Sequence, residues 1–108
     1  MADNIALSII DRKVINNNDT GVGIDLGAFN TAEVQVRVHV SGAGTLQLQH
    51  AAVDEDLAYL EIGSTVSLAS VDATGAVRSL SDFLRYVRYT ATSVEGSPVV
   101  SIDVIAKQ

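Results

Sequence analysis

The chain has 108 residues, 13 acidic against 7 basic side chains, a formal net charge of −6 and no cysteine. That length is one domain, able to bury roughly two thirds of the surface of its unfolded form. The missing cysteines exclude disulfides, thiolate metal sites and a cysteine nucleophile, and fit manufacture in a reducing cytoplasm. The negative charge argues against phosphate backbones and anionic membranes as partners, so neither a nucleic acid nor a membrane is expected.

In chain order, Ile5–Ile10 ("IALSII") is an apolar run with the composition of a strand. Residues 1–14 read as a possible N-terminal arm, able to add to the edge of a neighbour's sheet through main-chain hydrogen bonds, or as the first strand of the domain's own sandwich. The start has no basic region and too short an apolar run for a signal peptide, and no segment is long and apolar enough to span a bilayer. Asn16–Gly21 is a turn by composition. "GVGIDLG", Gly21–Gly27, has G-x-G-x-x-x-G spacing with no helix pattern or basic residue behind it. It reads as a short strand around Val22–Leu26 and a loop, not a phosphate cradle.

The strongest signal is "EVQVRVHVSGAGTLQLQ". Val34, Val36, Val38 and Val40 share one parity against Gln35, Arg37, His39 and Ser41, and Leu46 and Leu48 resume the apolar parity after Gly42–Gly44. A period of two with β-branched residues predicts strands, and the glycines predict a hairpin loop between them. His50–Ser64 is compatible with a short helix capped by Asp54 or with a strand starting at "YLEIG". Thr65–Val71 alternates as a strand, "DATG" (72–75) reads as a turn, and Val87, Tyr89 and Ala91 share one face of the next strand. "EGSP" turns the chain, with Pro98 in the turn. Val100, Ile102, Val104 and Ala106 then point inward, with Ile105 on the polar side. About seven or eight short strands at this spacing predict an all-β fold, a single antiparallel β-sandwich.

Chemistry-bearing constellations are weak. His39 and His50 are not spaced to converge with a carboxylate. Asp54–Glu55–Asp56 lacks the alternating pattern and central glycine of a calcium loop and reads as a solvated acidic loop. No serine sits in a G-x-S-x-G elbow, and no nucleophile, base and orienter are spaced as a set. No catalytic residue, cofactor or metal is expected, and an enzyme is disfavoured. Arg85 and Arg88 beside Tyr86 and Tyr89 are residue types enriched at the centres of protein interfaces. The candidate interface residues are therefore Ile5, Leu7 and Ile9 on the first strand, Arg85, Tyr86 and Arg88, and Ile105 as an apolar residue on a polar face.

The C-terminal third, "SLSDFLRYVRYTATSVEGSPVVSIDVIAK", resembles the last two strands of small β-sandwich proteins of tailed-bacteriophage virions: an aromatic-Arg-aromatic strand (Phe83–Tyr89), then "T-S-V-x-G", then an alternating strand ending in "A-K". "EVQVRVHVSGAGTLQLQHA" resembles the matching hairpin, except that "AAVDEDLAYLEIG" stands where those relatives carry a short "S-x-D-G" turn. The resemblance covers residues 33–108. It implies a jelly-roll-like sandwich acting as a capsid decoration (cement) protein, localised to the virion after synthesis in the host cytoplasm. The major capsid protein or another virion subunit would be its partner, and a homo-oligomer, plausibly a trimer, its state. A carbohydrate-binding module using Tyr59, Tyr86 or Tyr89, or a tail or connector component, is the alternative.

Overall fold

The computed structural model describes the backbone of residues 4–108 and the side chains of residues 5–71 and 77–108. The chain forms β1 (Asn4–Val14), β2 (Ile24–Asp25), β3 (Thr31–Val40), β4 (Ala43–Ala51), a single 3-10 turn (Asp56–Ala58), β5 (Leu60–Glu61), β6 (Val66–Ser67), β7 (Asp72–Ser81), β8 (Tyr86–Glu95) and β9 (Val99–Lys107). Two antiparallel sheets result. One has the order β1-β9-β3-β7, and the other β2-β8-β4-β5 with β6 also on β4. This is the expected all-β, jelly-roll-like sandwich. Among the described residues it holds nine strands, three of them only two residues long.

The alternating sequence explains the interior. Val34, Val36 and Val38 of β3 lie opposite Val104, Ile102 and Val100 of β9, and all six are buried. Leu46 and Leu48 of β4 and Val87, Tyr89 and Ala91 of β8 close over them from the second sheet, and Ile15, Leu26, Leu68 and Leu80 belong to the same core. Two apolar inner faces packed in this way are what holds a sandwich together.

Four local expectations are corrected. β3 and β4 are not a hairpin: β3 pairs with β7 and β9, and β4 with β8, β5 and β6. The Gly42–Gly44 link is instead a corner between sheets, where Gly44 takes φ +117 and a β-carbon would meet the Thr92 carbonyl and Val94 at 2.9 Å. Val40 does not continue the buried row. The β3–β9 pairing slips between Val38 and Val40, and Val40 is left 51% exposed. Residues 72–75 belong to β7 and not to a turn, while of the strand expected over 65–71 only Val66–Ser67 forms. Of the two readings left open over residues 50–64, both are met in part: a single 3-10 turn, which Glu55 and not Asp54 precedes, without a side-chain cap, and then the two-residue strand β5.

β1 is an edge strand of the chain's own first sheet, paired with β9 from Asn4↔Lys107 to Val14↔Val99. Residues 1–3 of the expected arm lie outside the described residues. The β1–β9 pairing is interrupted between Ser8 and Ile10 and again between Ile10 and Lys13, and Arg12 sits at φ 51. Bulges and charges of this kind twist an edge away from flat pairing.

Truncation should separate core from slip. Ile102→Ala is expected to cost about 2–5 kcal/mol in a denaturant titration, and Val40→Ala no more than about 0.5 kcal/mol.

Candidate functional site

One end of the sandwich gathers the loops 26–30, 52–59 and 82–85. Both phenylalanines of the chain are here. Phe29 and Phe83 are half-buried against the core and, with Leu26, Leu84 and Arg85, line a pocket of about 200 Å³. Leu84 is exposed. Its loop is held from beneath, because the Leu84 N–H donates to His50 Nδ1 at 3.0 Å. That bond places the proton of a neutral His50 ring on Nε2.

Arg85 grips Asp25 with both arms of its fork, Nε–H to Oδ1 at 3.1 Å and Nη2–H to Oδ2 at 2.8 Å. The Gly27 N–H donates to the same Oδ1 at 3.0 Å. The Arg85 hydrogen bonds, followed by the Gly27 N–H, hold the Asp25 carboxyl below the usual carboxylate range, and Asp25 in turn raises the Arg85 guanidinium. The guanidinium carbon lies 5.2 Å from the Tyr86 ring centre. Beside the pair an open concavity of about 540 Å³ is lined by Asp25, Gly27, Ala28 and Arg85. Arg85 and Asp25 thus satisfy each other's charge, with the exposed Leu84 beside them.

The 52–59 loop folds over the outer face of the second sheet and buries Arg88, which is only 8% exposed. Arg88 Nε–H donates to Gln49 Oε1 at 2.9 Å and Nη1–H to Asp56 Oδ1 at 2.7 Å. Its guanidinium lies 3.8 Å over the Tyr59 ring. Tyr59, 8% exposed, donates its hydroxyl proton to Asp54 Oδ1 at 2.7 Å. Gly23 lies so close that a β-carbon would overlap the Tyr59 hydroxyl. The Asp54–Asp56 carboxylates are thus partly engaged as a clasp: Asp54 holds the tyrosine and Asp56 the arginine. Among the described residues no group of three or more His, Asp or Glu is placed to hold a metal ion.

On the outer face of the first sheet, Ser101 is fully buried. Its Oγ–H donates to Asp11 Oδ1 at 3.2 Å, and its oxygen accepts the Arg12 N–H at 2.9 Å and contacts His39 Nε2 at 2.8 Å.

The candidate interface residues fall on separate surfaces. Arg85 and Tyr86 come together at the loop end. Arg88 is not on that surface, since the 52–59 loop covers it and engages its donors. Ile5 is exposed on β1, whereas Leu7 and Ile9 turn inward and pack on the core. Ile105 is exposed on the outer face of the first sheet, beside Val77. Of the tyrosines considered for a carbohydrate, Tyr59 and Tyr89 are buried. Phe29, Phe83 and Leu84 were missed. The available signal was that both phenylalanines lie in connections between strands, where an aromatic has no sheet face to serve.

Burial, then the bond to Asp54, pushes the Tyr59 phenol up to about 12 from 10.0. A raised folded-state value means stabilisation that is complete below pH 10 and is lost as pH rises toward 12. Ultraviolet titration should show one tyrosinate forming about two units late, with unfolding free energy falling over that window. Tyr59→Phe should remove both effects.

No family model matches the chain, and no curated protein matches it in sequence. Among solved structures it is similar to the SPBc2 prophage-derived protein YomS, at 13% identity and a TM-score of 0.69, covering 100% of this chain and 96% of that one. At that identity the likeness is one of fold.

Proposed function

We propose that this chain is a structural protein of a bacteriophage virion, a capsid decoration protein that docks on the assembled head and stabilises it. The observation that carries the reading is the end-to-end likeness of fold to a prophage-derived protein. The surface supports it. Among the described residues four ion pairs hold basic side chains to acids of the same chain, while Phe29, Phe83 and Leu84 stay at the loop end as an aromatic and aliphatic patch edged by Arg85 and Tyr86. Aromatic and arginine anchors of this kind dominate interface energetics. A net charge of −6 keeps many copies soluble before assembly. The major capsid protein is the partner, and modest contacts are repeated over many equivalent positions of the shell.

The test is to add purified protein to shells that lack it. It should sediment with them and raise the temperature at which they come apart. Leu84→Asp, at an exposed position, should leave the unfolding free energy within about 0.5 kcal/mol and weaken shell binding at least about tenfold. Failure of the unaltered protein to bind heads overturns the reading. Binding confined to tails or connectors, at a few copies per particle, replaces the head by another virion part.

A further inference from the structure

We propose that the chain dimerises through its 52–61 loop, whose apolar tip enters a slot between β1 and β2 of a second copy. The proposal is independent of the virion reading and concerns a different surface from the loop-end patch. At the flank where the edges of the two sheets part, Ile9 and Ile10 of β1 face Val22 and Ile24 across an opening of about 310 Å³, with Lys13 at its rim and Tyr89 against its floor. The Tyr89 side chain is 1% exposed, and its hydroxyl has no hydrogen-bond partner. An opening of this size lies at the lower end of the range that holds a ligand or an inserted side chain.

The loop presents the complementary shape. Val53, Leu57 and Leu60 are exposed, Leu57 completely, so it is not seated in its own slot. The turn bearing Leu57 is clamped by the Arg88–Asp56 and Tyr59–Asp54 contacts. A clamped tip loses little conformational freedom on docking. Charges match as well as shapes. Among the described residues, Arg12 and Lys13 are the basic side chains held by neither an acid nor a carbonyl oxygen of the chain. Glu55 and Glu61, which flank the apolar tip, form no ion pair. Tip and slot are neighbours on one flank, because Gly23, between the slot residues Val22 and Ile24, abuts the Tyr59 hydroxyl. A patch holding both knob and hole is self-complementary about a two-fold axis, each copy giving one tip and receiving one.

Sedimentation equilibrium of the full chain, with no shells present, tests this. The unaltered chain should dimerise below about 1 mM and do so less at high salt. Leu57→Asp and Lys13→Glu should each weaken association at least about tenfold, and Lys13→Glu combined with Glu55→Lys should restore it. All three positions are exposed, so circular dichroism should report an unchanged fold. A chain that stays monomeric throughout, or a dimer indifferent to Leu57→Asp, overturns the proposal. Leu84→Asp should leave the dimer intact, which separates this result from failure of shell binding.

Discussion

The pairing of β3 with β9 is the constraint on which the rest depends. These strands lie at the middle of the first sheet, one flanked by β7 and the other by β1. Their buried rows of valine and isoleucine form the floor onto which the second sheet closes. Once that floor is laid, nearly every connection must pass from one sheet to the other, and only the links joining β4, β5 and β6 stay within a sheet. Loops therefore collect at the two ends of the sandwich. That is why segments as far apart in sequence as 26–30 and 82–85 meet in one patch.

Polar groups on the two outer faces follow a common pattern. Long basic side chains end on acids of the same chain: Arg37 on Asp103 and Lys107 on Glu33 across the neighbouring strands β3 and β9, and Arg88 on Asp56 of the loop above it. Cross-strand pairs of this sort contribute fractions of a kcal/mol when exposed. Other charges, among them Arg12, Lys13, Glu55 and Glu61, stay exposed without an ion pair among the described residues, and large apolar side chains are exposed both on the 52–61 loop and at Leu84 and along the strand edges.

The period of two was legible in the sequence because it has one physical cause, alternate side chains entering one dry interior. It placed Val34, Val36, Val38, Leu46, Leu48, Val87, Tyr89, Val100, Ile102 and Val104 correctly. Pairing between strands was not legible in the same way. A glycine-rich link looks the same whether it folds a strand back on its neighbour or carries it to the opposite sheet, and so the Gly42–Gly44 corner reads as a hairpin. Nor does alternation show where it slips, as at Val40. The fate of Arg88 was hidden for a related reason: its partners lie 39 and 32 positions away, and only the folded loop brings them over it. The loop-end patch was half visible, through Arg85 and Tyr86, and half concealed in connections that carry no periodicity.

The placement of β9 between β1 and β3 also bears on how the chain reaches this state. β1 cannot find its neighbour, nor β3 its second neighbour after β7, until residues 99–107 have left the ribosome, so β1 and one edge of β3 wait while some sixty to ninety intervening residues are made. Closure of so distant a pairing is slow, and an incomplete chain offers those edges to other nascent copies. The interruptions in β1 around Ile10 and the Asp11–Arg12–Lys13 charges beside them make that exposed edge a poor template during the delay.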